Sequence, residues 1–213
     1  MKKGIIIFDV DGVLLDTKIG GLKHLAMFFT DKRKVIAHVR EYEKRKKKGP
    51  WGLEKLAGFF KGAPKKKMEF LSQRFCQKNL MKGGQETING LKKRGYLLAA
   101  LSSNDMILMR ELKKILGLDF IGGNRLEFQN GICTGRLREK VDRYEKARRV
   151  KNLVKKLRLK KSQVFVVGDS VSDLPMAKYG TFIAFNSKDS DVIKSARLII
   201  EKQNLKEILK IIK

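Results

Sequence analysis

Gly4-Ile5-Ile6-Ile7-Phe8-Asp9-Val10-Asp11-Gly12 is the stretch that decides the fold. Five residues without a polar side chain run directly into two aspartates. A continuous apolar run of this length, not an alternating one, is what a parallel strand covered on both faces requires. The preceding Met1-Lys2-Lys3 gives it a superficial likeness to a secretion signal. Asp9 and Asp11 interrupt the run after five residues, however, where a signal needs roughly 7–15.

The same pattern recurs downstream. Gln163-Val164-Phe165-Val166-Val167 ends at Gly168-Asp169, Tyr96-Leu97-Leu98-Ala99-Ala100-Leu101 ends at Ser102, and Thr181-Phe182-Ile183-Ala184-Phe185 is a weaker fourth strand. Helical patterns separate them over Glu86 to Arg94, Met106 to Leu116 and Arg143 to Leu159. Alternating strands and helices predict an α/β fold: a doubly wound, Rossmann-like parallel sheet. The three strongest strands each end on a polar residue. Ligands of such sheets sit at the carboxyl ends of the strands, so these endings should line one crevice.

Residues 17–82 break the rhythm. They read as helices interrupted by Gly49-Pro50-Trp51-Gly52 and Gly62-Ala63-Pro64. This stretch holds 19 Lys/Arg against 5 Asp/Glu, while the other 147 residues hold 30 against 17. We read it as a small helical cap inserted after the first strand, with residues 1–16 and 83–213 forming the catalytic core. Its charge runs, Lys44-Arg45-Lys46-Lys47-Lys48 and Lys65-Lys66-Lys67, read first as solvated faces. They also suit an anion-collecting lid for a nucleotide, a sugar bisphosphate or a nucleic-acid end. Trp51, Phe59 and Phe60 lie between the runs and read as the cap's own core sooner than as a platform for a base.

Across 213 residues the net charge is +27, with 42% hydrophobic residues, enough for a packed core. No apolar run approaches the roughly 20 residues of a membrane span. Cys76 and Cys133 make no disulfide framework, and a cytoplasmic location is the default expectation. His24 and His38 are too few for a zinc site.

The strand ends carry the candidate chemistry. An aspartate accepts a phosphoryl group as an acyl phosphate and splits one hard step into two. Asp9 is placed for this, and Asp11, two residues on, for passing a proton. Gly12 frees the backbone for close approach to a phosphate. Ser102, Ser103 and Asn104 offer a hydroxyl and backbone N–H groups to phosphoryl oxygens. Asp9 and Asp169 would hold Mg²⁺ if their strands are neighbours, since that ion takes one or two carboxylates together with water and phosphate oxygens. Asp173, four residues after Asp169, is placed to orient those ligands. Lys146 would offset the accumulated negative charge.

Together these residues resemble the haloacid dehalogenase superfamily in its phosphatase branch. Asp9-Val10-Asp11-Gly12-Val13-Leu14-Leu15-Asp16-Thr17 looks like its first motif, Ser102 the second, Lys146 the third, and Gly168-Asp169-Ser170 with Asp173 the fourth. The 23 residues from Lys146 to Asp169 suit a helix and a strand. The later half is similar to the phosphoserine phosphatase group, through Gly168 to Ala177 and the hairpin-like Phe128-Gln129-Asn130-Gly131-Ile132-Cys133-Thr134-Gly135. The resemblance implies a Mg²⁺-dependent phosphatase acting on a small-molecule phosphomonoester. In it Asp9 attacks phosphorus and binds the metal, Asp11 is the general acid/base and lends the metal its backbone carbonyl, Ser102 and Lys146 hold phosphoryl oxygens, and Asp169 ligates Mg²⁺. A mutase or phosphotransferase would use the same nucleophile. Phosphoserine phosphatases typically have a glutamate soon after the first motif to hold the substrate amine. Lys18 to Thr30 contains no acidic residue, so a phosphomonoester other than phosphoserine is expected.

Overall fold

The computed structural model describes residues 2–45, 47, 49 and 51–212. Lys46, Lys48 and Pro50, which belong to the first charge run and the first helix break, lie outside the described residues.

Strand β1 (Gly4–Phe8) lies at the middle of a seven-stranded sheet. Helices α1 (Gly21–Ala26), α2 (Lys32–Arg45), α3 (Leu53–Gly58), α4 (Lys65–Lys78) and α5 (Gly84–Lys93) precede β2 (Tyr96–Asp105). Then come α6 (Met106–Leu116), β3 (Phe120–Gln129), β4 (Ile132–Glu139), α7 (Arg143–Lys156) and β5 (Val164–Gly168). The chain ends with α8 (Leu174–Ala177), β6 (Thr181–Phe185), α9 (Ser190–Ser195), β7 (Leu198–Ile200) and α10 (Ile208–Ile211). The strand order is β4-β3-β2-β1-β5-β6-β7, parallel throughout except for β4, which returns antiparallel to β3.

The expected doubly wound sheet is therefore present. The chain winds outward from β1 through β2 and β3, then returns to the other side of β1 with β5. Between β1 and β5 the winding changes direction, which is where such sheets open a crevice. Phe8 pairs with Val167 there, so Asp9 and Asp169 leave adjacent strands at nearly the same level.

Side-chain alternation assigns the layers. Ile5 and Ile7 of β1 pack with Val164, Val166, Ala147, Val150, Met176 and Val192, so α7, α8 and α9 cover that face. Ile6 and Phe8 point the other way, into a cluster with Ile88, Leu108, Leu112 and Ile208 of α5, α6 and α10. Asp9 shares the parity of Ile5 and Ile7, which directs it toward α7.

The sequence reading differs from the structure in a few places. β2 continues through Ser102 to Asp105, with its pairing to β3 shifting between Leu101 and Asp105. Strands β3, β4 and β7 had no expectation beyond the hairpin-like turn, which is real: β3 and β4 are joined through Asn130 and Gly131, both at positive φ. Phe60 is fully buried and Trp51 nearly so, as core residues. Their core is not separate, however. Val35, Leu56, Phe60, Met68 and Phe75 belong to the same cluster as Ile6 and Phe8.

Leu112 is fully enclosed in that cluster, whereas Ile199 on β7 is half exposed. Leu112→Ala should cost about 2–5 kcal/mol through lost burial and a residual cavity. Ile199→Thr should stay within about 0.5 kcal/mol. Urea denaturation of the two variants against the parent chain checks both, and equal losses would contradict the layer assignment.

Candidate active site

Asp9 follows the last residue of β1, and its amide donates to the Val167 carbonyl at 2.9 Å. Asp9 is 6% exposed. Its Oδ1 accepts a hydrogen bond from Lys146 Nζ at 2.8 Å. Burial, reinforced by the neighbouring Asp173 charge and opposed by Lys146, pushes the Asp9 carboxyl up to about 7.

Lys146 reaches this point from the first turn of α7. That helix is capped by Asp142, whose side chain accepts from the amides of Tyr144 and Glu145 at 2.9 Å each. Arg143, Lys146, Ala147 and Val150 share the helix face turned inward, at the spacing of an apolar stripe. One position in that stripe is thus a lysine, 2% exposed. Its second partner is Asp173 Oδ1 at 2.7 Å. Burial works against its charge, but Asp173 and Asp9 outweigh burial and hold the ammonium protonated.

Asp173 is fully buried. Besides Lys146 it accepts, through Oδ2, from the backbone N–H of Asp169 at 3.2 Å and of Ser170 at 3.3 Å. It therefore fixes the turn that carries Asp169. Among the described residues no donor reaches the Asp169 carboxylate, whose titration is raised by burial and by the nearby Asp173 and Asp9 charges. Gly12 stands against it at φ 83°, and a Cβ there would meet Asp169 Oδ2 at 2.3 Å. The loop after β1 can pass this carboxylate only with glycine at that position.

Oxygens of Asp9, Asp169 and Asp173 lie within 4.8 Å of one another. Three carboxylates face one ammonium, and among the described residues no donor engages the Asp169 oxygens. Such a set suits a hard divalent cation with oxygen ligands.

Asp11 turns away from this cluster. Its Oδ1 accepts from the Gly21 amide at 2.9 Å and its Oδ2 from Asn104 Nδ2 at 3.1 Å. Burial raises its titration, against the pull of those two donors. A carboxyl that holds its proton more firmly than a free one, beside the end of β1, is placed for general acid–base work. Asn104 is held twice more: its Oδ1 accepts from the Leu22 amide at 2.6 Å and its backbone N–H donates to Ser102 Oγ at 3.1 Å. Its side chain joins Asp11 to the start of α1. Ser102 and Ser103 line the cleft beside it.

Asp9, Asp11, Gly12, Ser102, Ser103, Asn104, Lys146 and Asp169 all border one cleft of about 210 Å³, with Asp173 directly beneath. Its far wall comes from α1, α2 and α3 and contains four residues that no motif or spacing marks as functional: Lys23, His38, Tyr42 and Glu43. Val35, His38 and Tyr42 follow one another at helical spacing on the inward side of α2, a stripe that hid its polar members. His38 is fully buried, and neither ring nitrogen has a hydrogen-bond partner among the described residues. Leaving a buried polar group in that condition costs about 1–3 kcal/mol. Burial, aided by Lys23, keeps the ring neutral.

Comparisons with known proteins identify the family of this chain. A family model for haloacid dehalogenase-like hydrolases matches residues 6–178. The chain is 32% identical over its whole length to a phosphoserine phosphatase of Archaeoglobus fulgidus, spanning 60% of that protein. It is 31% identical to one of Methanocaldococcus jannaschii, again over its whole length and across 99% of that protein. Among solved structures, a phospho-aspartyl intermediate analogue of phosphoserine phosphatase is similar, with a TM-score of 0.85, 30% identity and complete coverage of both chains. The apo form of phosphoserine phosphatase gives 0.84 and 28%, also with complete coverage. A match running from within β1 to just beyond α8, joined by relatives of this likeness along the full chain, makes this protein a member of the haloacid dehalogenase-like hydrolase family.

Proposed function

We propose that this chain hydrolyses a small-molecule phosphomonoester through an aspartyl-phosphate intermediate on Asp9, assisted by Mg²⁺. It is a phosphoric monoester hydrolase, in keeping with relatives that are phosphoserine phosphatases. The observation that carries the reading is the buried Asp9 held at 2.8 Å by Lys146 at the floor of a small cleft. No helix among the described residues is long and apolar enough to cross a membrane.

Mg²⁺ would be held by the carboxylates of Asp9 and Asp169 and the Asp11 carbonyl, and would supply positive charge against phosphoryl oxygens. Asp173 serves by fixing Asp169 and Lys146. Two of the three Lys146 N–H groups are committed to Asp9 and Asp173, leaving the third for a phosphoryl oxygen. Ser102 Oγ and the backbone around Gly12 and Ser103 complete the phosphoryl cradle.

In the first step an Asp9 oxygen bonds to phosphorus as the ester P–O bond breaks, and the Asp11 carboxyl gives its proton to the leaving oxygen. In the second, the Asp11 carboxylate takes a proton from water as that water attacks phosphorus. The acyl phosphate bond breaks, inorganic phosphate leaves, and the Asp9 carboxylate is restored. Gly21 and Asn104 hold Asp11 in one orientation for both transfers. Residues 17–82 act as the cap that covers this floor and chooses the substrate.

Two outcomes test the reading. Turnover of an aryl phosphate should vanish in EDTA and return with added Mg²⁺; full activity in EDTA would contradict the metal assignment. Asp11→Asn should slow hydrolysis of alkyl phosphates by about 10²–10⁴, the usual size of general acid–base catalysis. Formation of the intermediate from aryl phosphates, whose leaving groups need little protonation, should suffer less. Rapid-quench kinetics on an alkyl and aryl pair checks this, and equal defects in that step would rule Asp11 out as the acid.

A further inference from the structure

The cleft wall opposite Asp9 has an uneven charge. Lys18 enters it from the loop after β1, Lys23 from α1 and His38 from α2. Lys23 is half-buried, and its ammonium stands 3.5 Å from the centroid of the Tyr42 ring. It lines the same cleft as Asp11 and His38. Trp51, Leu53 and Leu56 make the wall otherwise largely apolar. The acidic residue on this side, Glu43, is exposed at the rim, and both it and Lys23 make a further interaction.

A substrate reaching from the phosphoryl cradle toward this wall meets two ammonium groups and a neutral imidazole. A cationic end would be repelled by Lys23 and Lys18. An anionic end would be attracted, and it would accept the ring N–H that His38 otherwise leaves unused. His38 itself is an expensive choice for a buried wall position unless a ligand uses it, because a leucine would fill the place without a stranded polar atom.

We propose that Lys18, Lys23 and His38 form a subsite for a second anionic group. The substrate class is then an organic phosphomonoester that carries a carboxylate or a further phosphate at its remote end and no ammonium there. This deepens the phosphatase reading and rests on it.

The test uses a matched series on the full chain with Mg²⁺: propyl phosphate, 2-carboxyethyl phosphate and 3-aminopropyl phosphate, with p-nitrophenyl phosphate as a general substrate. The carboxyethyl ester should exceed the propyl ester in kcat/KM by about tenfold or more, the size of one charge-assisted hydrogen bond, with the aminopropyl ester lowest. His38→Leu and Lys23→Gln should each shrink the carboxyethyl-to-propyl ratio, and His38→Leu should at the same time raise Tm. A purely structural His38 would leave that ratio unmoved. An aminopropyl ester equal to or better than the propyl ester, or a ratio indifferent to both substitutions, would overturn the subsite. Calorimetric titration of the Asp9→Asn protein with the same esters reads the preference as a Kd ratio without turnover. Equal Kd values alongside turnover of p-nitrophenyl phosphate would remove the subsite and leave the phosphatase reading standing. A tenfold preference in Kd with no turnover by the parent chain would do the reverse.

Discussion

An ammonium group buried between two carboxylates organises this molecule. Lys146 Nζ lies 2.8 Å from Asp9 and 2.7 Å from Asp173, with all three side chains nearly or fully withdrawn from water. The contact joins three separate elements: the end of β1, the first turn of α7 and the turn after β5. Removing one partner of such a buried pair leaves an uncompensated charge, at a cost of about 3–5 kcal/mol. Replacing the whole set by apolar residues is often neutral or better, so stability alone does not account for it. Position does. Asp173 fixes Lys146 and Asp169 together, and Lys146 fixes Asp9. The cluster still holds more carboxylate than ammonium, which is why burial can push the Asp9 carboxyl up to about 7 in the protein alone. A cation bound among these oxygens would offset that excess and keep Asp9 a carboxylate, the form a nucleophile needs.

Much of this was legible because a parallel sheet imposes a simple pattern. Central strands need continuous apolar runs, and the crevice lies where those runs stop. β1 and β6 have the expected limits, and β5 differs by one residue at each end. The hidden strands have physical reasons for being hidden. β3 contains Gly122-Gly123-Asn124, which breaks the apolar run because the backbone of β2 passes close by: a Cβ on Gly123 would meet the Asn104 carbonyl at 2.5 Å. β4 is an edge strand whose charged Arg136, Arg138 and Glu139 obscure it, and β7 has only three residues. Lys146 could be picked out from so many lysines only by its order among the motifs. His38 could not be picked out at all. Its meaning depends on which wall α2 turns inward, and no spacing along the chain encodes that.

The helices between β1 and α5 are tied to the sheet in two ways. Their apolar side chains join the cluster beneath Ile6 and Phe8. Polar contacts then reach across the rim: Lys47 pairs with Asp191 at 2.5 Å, Arg143 donates to the Lys47 carbonyl at 2.6 Å, and Lys140 pairs with Glu54 at 2.8 Å. Arg143 lies one turn before Lys146 on α7, so the helix that charges the floor of the cleft also grips its roof. The exposed ion pairs contribute little individually in water. Their place at the rim matters more, because small shifts there change the shape of the wall that meets the substrate.

In the mechanism proposed for this chain, Asp9 carries the phosphoryl group during turnover. Rapid quenching of Asp11→Asn protein with a radiolabelled aryl phosphate should trap it, since the intermediate forms while its hydrolysis lacks a base. Borohydride reduction followed by peptide mass analysis should then find homoserine at position 9. Label on Ser102, or an unmodified Asp9 in protein that is turning over, would contradict the account.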